Sequence, residues 1–467
     1  MLGSLLLMYG AILLGAFLPT VLLILCGKSW GQLPFFYLRI VSFLQSFFPT
    51  VYPRSKSFWP AIIDRDEEVR LKRNAEGSSA SFNFLRHKNN MLEMGVDFTQ
   101  NGLEAIIQDE ISSAFAPAPS YYESLLRFAP LDQWDSVQKT IFYLTLVFRL
   151  LLLFPIRLAL FISSFVFISL ACVVSFCIDL SAHQKTWIAI VYCRLVNAGL
   201  GAVVVYKDRE NTPKKPGIAV SNHMTPNDIQ IIFGGTQHGS EYGYVVTGQK
   251  HNGIIGLIEA LVSRLCPSLW LERKCIKERS GFLSVVLKTA KQGGGPILLF
   301  PEGYCTNNTQ VIQFRKAVFE EDLDIYPIAI RQDARYGDAF WIEDKFHLYL
   351  LRIMMSWAVV YEIKYLPKER RFPFESNGQF ASRVQGLIAE AAGIQQGRFD
   401  GGFWYKKTDQ QRVHEDQQRL VAACLSHDIP HLCRSLRSSD SEPSLSDENA
   451  NNSDGSFCIC ELPKEEN

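Results

Sequence analysis

The longest apolar stretch of the chain, Ile141 to Ile178, most restricts how the chain can fold, because a backbone surrounded by lipid must satisfy its hydrogen bonds internally. Arg149, Pro155 and Arg157 interrupt this stretch. An arginine at mid-bilayer costs roughly 2.5 to 3.5 kcal/mol on insertion scales, so a straight span centred on the two arginines is disfavoured. We therefore predict a hairpin that bends at the proline and keeps both flanks on one side of the membrane.

Two other arrangements of this stretch are compatible with its sequence. In the first, Leu158 to Ile178 is a single span that follows an interfacial helix. In the second, two apolar helices are buried against a soluble domain at the membrane surface. The second arrangement has the same topology as the hairpin.

A second apolar stretch, Leu2 to Cys26, carries no charged side chain. At a rise of about 1.5 Å per residue it can cross a hydrocarbon layer of about 30 Å, and it is too long for a signal-peptide core. It therefore predicts a retained anchor. Basic residues follow it, beginning with Lys28, which places its C-terminal flank in the cytosol. The shorter stretch Phe35 to Phe48 contains Arg39 and is predicted to lie at the membrane interface.

Composition divides the chain into five parts. We predict a membrane anchor with an interfacial segment over residues 1–50, a cytosolic region of unknown role over 51–140, the apolar hairpin over 141–180, an α/β domain over 181–407 and a disordered polar tail over 408–467. The tail is rich in Ser, Asp, Glu, Asn and Gln, and it lacks the bulky apolar residues that would order it.

Charge and cysteine content narrow the function. The 47 basic and 47 acidic residues cancel, which excludes a bulk electrostatic attraction to nucleic acid. The 11 cysteines show neither a metal-binding spacing nor a disulfide framework. We expect reduced thiols, no metal and no nucleic-acid partner, and the sequence identifies no protein partner.

Short β-branched runs separated by helical stretches follow Asp179 and predict an α/β fold with a largely parallel or mixed sheet, and we expect a mixed β-sheet flanked by helices. Helix-length segments such as Gly253–Arg264 and Lys277–Lys291 lie between these runs. Functional residues gather at strand ends in such a domain. The predicted strands are Ala202–Tyr206, Gly217–Ser221, Tyr244–Thr247, Leu269–Glu272, Pro296–Phe300, Ile325–Ile330 and Val359–Tyr365.

A histidine and an aspartate follow the second predicted strand, in Ser221-Asn222-His223-Met224-Thr225-Pro226-Asn227-Asp228. The proline predicts a turn into a helix that carries Asp228 in its first turn. Such a turn can place the carboxylate on one ring nitrogen of His223 and leave the other free to take a proton from a hydroxyl. Alone, the pattern is more typical of a surface turn in which the aspartate caps a helix.

No G-x-S-x-G motif is present, and no cysteine lies close to His223 in the sequence. The simplest chemistry is therefore direct. His223 deprotonates a substrate hydroxyl, which attacks an activated acyl group without an acyl-enzyme.

Three further blocks end in turns or contain a proline. Phe300-Pro301-Glu302-Gly303 offers a carboxylate that can bind hydroxyls and a glycine that lets the backbone approach a ligand, although an exposed glutamate after a buried strand fits equally well. Trp270-Leu271-Glu272-Arg273 ends in an arginine, which suits a phosphate monoester or a neighbouring carboxylate. Pro327, inside an apolar strand, predicts an edge strand or a bulge.

Taken in order, Asn-His-x4-Asp, Trp-Leu-Glu-Arg, Phe-Pro-Glu-Gly and Tyr-Pro-Ile-Ala resemble the four-block signature of the glycerolipid acyltransferases, the family that includes bacterial PlsC. Flanking segments such as Tyr336–Trp341 and Ser356–Ala358 look like those of the animal microsomal glycerol-3-phosphate acyltransferases. The resemblance covers about residues 140–405.

The resemblance implies a role for each matching residue. The histidine of the first block is the base and its aspartate the orienting residue, here His223 and Asp228. The other positions are assigned to the substrates: Arg273, Glu302 and Gly303 to glycerol phosphate, and Pro327 to the acyl donor. Tyr304 stands where the family usually has threonine. A phenol is larger than a threonine side chain, so the fit of the acceptor is expected to differ.

The resemblance also implies an activity. The chain is expected to transfer a fatty acyl group from acyl-CoA to the sn-1 hydroxyl of glycerol 3-phosphate, giving lysophosphatidate and CoA, in phospholipid and triacylglycerol synthesis. Acyl-CoA is a co-substrate, no cofactor is expected, and the lipid bilayer of the endoplasmic reticulum carries the enzyme with its catalytic domain facing the cytosol. The alternatives are a lysophospholipid acyltransferase, because the blocks are shared, and a catalytically silent membrane scaffold, which Tyr304 makes conceivable.

Overall fold

A mixed β-sheet organises the part of the chain that the computed structural model describes, namely residues 2–48, 114–115, 134–249, 256, 260, 263–271, 276–293, 295–319, 323–341 and 345–401. The described strands are β1 (Ala202–Lys207), β2 (Ile218–Ser221), β3 (Val245–Gln249), β4 (Ser268–Leu271), β5 (Ile297–Leu299), β6 (Gln310–Val311), β7 (Ile325–Asp333), β8 (Val359–Tyr365) and β9 (Gln395–Gln396). Seven of them form one sheet in the order β1–β8–β7–β2–β5–β3–β4, and β6 pairs with β9.

The predicted mixed α/β fold and its seven predicted strands are confirmed. Strands β7, β2, β5, β3 and β4 run parallel to one another, whereas β8 is antiparallel to β7 and parallel to β1. Because β2 and β5 are adjacent and parallel, their carboxyl ends lie at the same edge of the sheet. The turns that follow these two strands are therefore neighbours.

Helices cover both faces of the sheet. The described helices are α1 (Leu2–Leu25), α2 (Leu33–Gln45), α3 (Ser136–Phe148), α4 (Phe154–Cys177), α5 (Ala182–Gly199), α6 (Asp228–Gly234), α7 (Ile276–Gln292), α8 (Phe346–Met355) and α9 (Asn377–Ala392). Ala219 of β2 joins a buried cluster with α4, α5, α6 and α8, whereas its neighbours Ile218 and Val220 join a cluster with α7 and α9. This alternation is expected of a strand that is buried on both faces.

Several sequence predictions lie wholly or partly outside the described residues. Most of the region 51–140, the polar tail 408–467 and Arg273 are outside them, as is most of the predicted helix Gly253–Arg264. The predicted helix Lys277–Lys291 is confirmed as α7.

The predicted hairpin is wrong, because α3, a π-helical turn at Arg149–Leu153 and α4 form one continuous helix of 42 residues. The Phe154 N–H bonds to the Arg149 carbonyl across the wider π turn, directly before Pro155. A wider turn leaves space for the pyrrolidine ring, so the proline is accommodated without a reversal of the chain. At about 1.5 Å per residue this helix is roughly twice as long as a hydrocarbon layer is thick, so only part of it can lie in a bilayer.

The two arginines that motivated the hairpin are buried against the domain. The Arg157 guanidinium donates to the carbonyls of Met354, Ser356 and Trp357 at 2.8, 2.5 and 2.5 Å. Arg149 has no exposed surface, and its guanidinium lies 5.0 Å from the centre of the Trp357 ring. Protein groups thus replace water around both charges, which removes the cost that predicted a bend.

Two described helices are long and apolar enough to cross a membrane, α1 and the continuous helix Ser136–Cys177. The continuous helix buries one stripe through Leu160, Ser164, Ile168 and Cys172, and it leaves a second apolar face exposed. The alternative in which Leu158 to Ile178 spans the bilayer matches the extent of α4 and stays a prediction.

Helix α2 lies against the domain with its inner face. Leu38 and Val41 pack with Trp357, and Tyr37 donates a hydrogen bond of 2.9 Å to the Trp357 carbonyl. The outward face is apolar, with Phe36, Ile40 and Phe43 exposed, and Phe47, just after the helix, is exposed as well. An exposed apolar face of this kind is typical of a helix at a membrane interface, as predicted for Phe35 to Phe48.

Candidate active site

At the start of the turn after β2, the side chain of Asn222 takes over the hydrogen bonds that the main chain makes within the sheet. Asn222 Nδ2 donates to the Ile330 carbonyl at 2.9 Å, and the Ile330 N–H donates to Asn222 Oδ1 at 2.8 Å. The asparagine therefore completes the pairing with β7 while the main chain leaves the sheet. His223 is the first residue beyond this point.

Asp228 folds back onto this turn and makes four contacts with it. The Asp228 N–H bonds to the Thr225 carbonyl at 3.0 Å, which closes a turn with Pro226 in its second position. Asp228 Oδ2 accepts from the backbone N–H of Met224 at 2.6 Å and of Thr225 at 3.0 Å, and it lies 2.9 Å from His223 Nδ1. The predicted contact between the histidine and the aspartate is thus present, and the carboxylate has no exposed surface.

The imidazole of His223 is confined from its other sides. Its ring stacks on the Phe300 ring, with centroids 4.3 Å apart and an interplanar angle of 25°. The backbone carbonyl of His223 accepts a hydrogen bond of 2.9 Å from the Thr306 N–H. The side chain remains 18% exposed, so one part of the ring stays accessible to a substrate.

The turn after β5 supplies Glu302 and Gly303. A hydrogen bond of 3.0 Å from the Gly303 N–H to the Phe300 carbonyl closes this turn. Gly303 has φ +72°, and a Cβ there would lie 2.9 Å from Arg315 Cζ, so both its backbone conformation and its surroundings favour glycine. Glu302 has no exposed surface, and its Oε1 accepts a long hydrogen bond of 3.4 Å from the His223 backbone N–H. The exposed glutamate that the sequence allowed is therefore wrong.

The two turns differ in their electrostatics. Burial raises the pKa of Glu302 well above its usual value, against the lowering effect of His223. For His223, burial lowers the pKa, but the Cys305 thiol and the Asp228 carboxylate raise it more, and the net pKa lies well above 6.5. Glu302 is thus kept neutral to a higher pH than an ordinary glutamate, and the imidazole becomes a stronger base.

Sequence reasoning missed Cys305, which is 82 residues from His223 along the chain. The next residue, Thr306, bonds to the His223 carbonyl, and Cys305 contributes to the raised pKa of His223. Thr225 and Asn227 are likewise joined to Tyr349 of α8, the amide of Asn227 donating to Tyr349 Oη at 2.9 Å. A local sequence window contains no signal for contacts of this separation.

Arg315 lies beside the Glu-Gly turn. Its guanidinium is 5.5 Å from the centre of the Tyr304 ring and 4.0 Å from Asp400 Oδ1, and its side chain is 51% exposed. Tyr304 in turn packs with Phe115, Ile312 and Phe340. The phenol that departs from the family pattern therefore supports a cation at the edge of the site.

Pro327 is buried in β7, opposite Val220 of β2. β7 is an interior strand, so the edge-strand expectation is wrong. Ile325 and Ile328 are three residues apart along β7, whereas their partners Glu369 and Tyr365 are four residues apart. The extra residue on the partner segment makes this position a bulge, which agrees with the second prediction for Pro327. The Pro327 carbonyl accepts from the Leu366 N–H beyond the end of β8, so its missing N–H deprives no strand residue of a partner.

Within the described ranges, no group of three or more His, Cys, Asp or Glu side chains could hold a metal ion. What the arrangement offers is an imidazole held by a buried carboxylate, accessible at one edge, next to a glycine turn and a half-exposed arginine. Such a site can accept a proton from a hydroxyl and hold an anionic group nearby.

Comparisons with known proteins place this site in a family context. The family profile described as Acyltransferase matches residues 203–331. Glycerol-3-phosphate acyltransferase 3 of Mus musculus is 32% identical over 392 residues, which cover 78% of this chain and 86% of that protein. Glycerol-3-phosphate acyltransferase 4 of Homo sapiens is 34% identical over 336 residues, covering 70% of this chain and 72% of that protein.

Among solved structures, the crystal structure of the 1-acyl-sn-glycerophosphate (LPA) acyltransferase PlsC from Thermotoga maritima is similar to part of the chain. It is 16% identical, with a TM-score of 0.38, and the match covers 51% of this chain and 96% of that chain.

Proposed function

This chain belongs to the glycerol-3-phosphate acyltransferase family, and we propose that it transfers a fatty acyl group from acyl-CoA to the sn-1 hydroxyl of glycerol 3-phosphate. The products are lysophosphatidate and CoA. The observation that carries this proposal is the contact of 2.9 Å between His223 Nδ1 and the buried carboxylate of Asp228. The names of the relatives support the choice of acceptor.

The mechanism follows from this contact. Asp228 accepts a hydrogen bond from the Nδ1–H of His223 and thereby fixes the tautomer in which Nε2 carries a lone pair. Nε2 takes the proton of the acceptor hydroxyl as its oxygen attacks the thioester carbonyl. The bond between the acyl carbon and sulfur breaks, and the CoA thiolate leaves with the proton from the imidazolium. Transfer is direct and passes through no acyl-enzyme.

Arg315 is the described cation best placed for the acceptor phosphate. It lies against Gly303, and an arginine fork suits the oxygens of a phosphate monoester. Arg273 remains a second cation in this proposal. Gly303 keeps its assignment as the position where the backbone approaches the acceptor.

Glu302 takes a different role from the one that the resemblance implied. Its carboxyl group is buried and faces the backbone of His223, so we assign it to the support of the turn rather than to a glycerol hydroxyl. Pro327 is buried in β7 next to β2 and supports the turn that follows β2. An effect of Pro327 on the acyl donor through this support stays a proposal.

The apolar helices support association with a membrane. In this proposal the membrane is that of the endoplasmic reticulum, and the catalytic domain faces the cytosol. An acyl-CoA that partitions to the bilayer and a soluble glycerol 3-phosphate then reach one site at the membrane surface. The acyltransferase needs no further cofactor in this scheme.

The test is an assay of the full-length protein in membranes or detergent micelles with radiolabelled acyl-CoA. Glycerol 3-phosphate and lysophosphatidate are offered separately as acceptors, and the His223→Ala and His183→Ala variants are the matched pair, since His183 is exposed at the start of α5. We expect labelled lysophosphatidate from the wild type and from the His183 variant only. Product from lysophosphatidate alone would identify a lysophospholipid acyltransferase, and product from neither acceptor would identify a silent scaffold.

A further inference from the structure

Tyr349 of α8 is a buried phenol that reaches the turn between His223 and Asp228 from a distant part of the chain. Its side chain has no exposed surface. The hydroxyls of Tyr349 and Thr225 are hydrogen-bonded to each other, and the amide of Asn227 donates to Tyr349 Oη at 2.9 Å. One hydroxyl therefore holds two residues of a turn that belongs to the proposed site.

The two residues that Tyr349 holds shape this turn around the carboxyl group of Asp228. The Thr225 N–H donates to Asp228 Oδ2 at 3.0 Å, and the Asp228 N–H donates to the Thr225 carbonyl at the same distance. Asn227 directly precedes the aspartate, and its N–H donates to Thr225 Oγ1 at 3.4 Å. A shift of either residue would therefore disturb the carboxylate that lies 2.9 Å from His223 Nδ1.

Helix α8 gives Tyr349 a fixed base. The Arg157 guanidinium of α4 donates to the Met354 carbonyl in the last turn of α8 at 2.8 Å. The Tyr349 ring packs against the rings of Phe346 and Trp341, with centroids 5.5 and 5.9 Å apart. A side chain on a packed helix holds a site with greater precision than one on a loop. The hydroxyl of Tyr349 is therefore well placed to define the conformation of the turn.

A buried hydroxyl needs hydrogen-bond partners wherever it lies, so the contacts alone could be purely structural. Tyr37 of α2 provides such a structural case, because its hydroxyl donates to the Trp357 carbonyl at 2.9 Å, outside the turn. Tyr349 differs in that both of these partners lie between the proposed base and its acid. The two tyrosines therefore form a matched pair for an experiment.

We propose that Tyr349 is a positioning residue that acts on the base through Thr225 and Asn227. Its hydroxyl keeps the turn in the conformation in which Asp228 meets His223 Nδ1. Loss of the hydroxyl leaves buried polar groups of the turn without this partner, and the turn relaxes toward other partners. The inference rests on the proposed function, because it takes the imidazole as the base.

Weaker contact with Asp228 has a consequence for the pH dependence of activity. Burial lowers the pKa of His223, whereas Cys305 and Asp228 raise it. Cys305 and the buried acid Glu302 belong to the turn after β5, whereas Tyr349 holds the turn after β2. Without its hydroxyl the pKa of the imidazole falls, so the base stays unprotonated to a lower pH.

The experiment compares Tyr349→Phe with Tyr37→Phe in the full-length protein in detergent micelles. Transfer from acyl-CoA to glycerol 3-phosphate is measured as a function of pH. In Tyr349→Phe we expect kcat to fall by about tenfold and the acid limb to move to lower pH, because the base is less well oriented and less basic. KM for both substrates should stay within about twofold, since the contact acts on the transition state. Tyr37→Phe should keep the acid limb of the wild type.

Two further variants test the route of the effect. Thr225→Val removes the same hydrogen bond from the other side, and it should reproduce the shift even if Tyr349→Phe fails to fold. Because Tyr349 acts through Asp228, adding Tyr349→Phe to Asp228→Asn should change kcat by less than about twofold. A double variant whose loss equals the product of the two separate losses would overturn the inference.

The pKa of His223 can also be measured without any acyl transfer. Diethyl pyrocarbonate modifies unprotonated imidazoles, so the pH dependence of its reaction with the peptide that carries His223, followed by mass spectrometry, gives this pKa. We expect a lower value in Tyr349→Phe than in the wild type and in Tyr37→Phe. An unchanged value in folded Tyr349→Phe would overturn the inference. A lowered value in a protein that transfers no acyl group would support the positioning role and refute the proposed function.

Discussion

The turns after β2 and β5 are neighbours of similar design, but their carboxyl groups lie in different electrostatic environments. Each follows a buried parallel strand, and each carries a carboxyl group without exposed surface. Asp228 faces three nitrogen donors at 2.6 to 3.0 Å, whereas Glu302 accepts one bond of 3.4 Å. The first turn therefore surrounds its carboxyl group with donors, whereas burial in the second turn raises the pKa of Glu302.

The difference separates two roles that sequence alone assigns to the same pair of blocks. A charge held by backbone N–H groups can orient and strengthen a base at no further cost in reorganisation. Glu302, whose pKa is raised by burial, lacks these donors, and its one bond goes to the backbone N–H of His223. The comparison therefore predicts that equal substitutions in the two turns have unequal effects.

Removing the base should have the largest effect. General-base catalysis contributes on the order of 10² to 10⁴ in rate, so we expect kcat of His223→Ala to fall by about 10³. The measurement is transfer from acyl-CoA to glycerol 3-phosphate, with membrane association as a control because the apolar helices lie elsewhere. Full activity in this variant would remove the first turn from the chemistry altogether.

Replacing the charge of the first turn by a neutral isostere should come next. Asp228→Asn should lower kcat/KM by roughly 10², because the imidazole loses both its orienting charge and part of its basicity. His223 acts only when unprotonated, and Asp228 raises its pKa, so wild-type activity is lost as pH falls through that raised pKa. The acid limb of the kcat/KM profile should therefore move to lower pH in the variant. An acid limb at the wild-type pH would show that Asp228 does not set the basicity of the imidazole.

The cation beside the second turn should have a smaller effect, confined to the acceptor. Arg315→Ala should raise KM for glycerol 3-phosphate by about tenfold through the loss of a charge-assisted contact, and Arg315→Lys should restore part of it. Lys316→Ala, an exposed neighbour, is the control. A change in KM for acyl-CoA alone would contradict the assignment.

Replacing the acid of the second turn should have the smallest effect on activity. Glu302→Gln should keep kcat within about threefold of the wild type, because the raised pKa of Glu302 favours its neutral form, which an amide of the same shape mimics. The contrast with Asp228→Asn is the direct test of the comparison. A loss as large as that of Asp228→Asn would mean that Glu302 also works as a charged group.

Stability gives the same comparison a second readout. The pKa of Glu302 is raised on folding, so the folded state holds a proton that the unfolded state releases as pH rises above its ordinary value of about 4.5. Wild-type stability is therefore lost as pH rises through the raised pKa, and Glu302→Gln lacks this loss. The Tm of the variant relative to the wild type should increase between pH 4.5 and pH 7, as followed by thermal unfolding.

The seven strands and the contact between His223 and Asp228 could be predicted because their signals are local. A short run rich in β-branched residues and a proline turn are both visible within one short window. Strands β6 and β9 have two residues each and carry no such signal. Phe300 and Cys305 reach the imidazole only through the pairing of β2 with β5, which a local window does not contain.

The wrong prediction of a hairpin has a related cause. Sequence reasoning placed Arg157 in lipid, where its charge would be costly, but its carbonyl partners are contributed by residues about 200 positions later in the chain. Partners so distant in the sequence remove a desolvation cost that a local window predicts. The position of Pro327 also depends on a later part of the chain, because β7 is an interior strand only through its pairing with β8.

The three carbonyls held by Arg157 also determine how the protein can be dissected. They belong to the end of α8 and to its connection with β8, so the apolar helix is an integral support of the sheet. A fragment that starts after residue 180 would leave these oxygens buried without a donor, and it would uncover the apolar surfaces of α5 and α8. Removal of residues 1–180 is therefore expected to yield an aggregating fragment instead of a soluble enzyme.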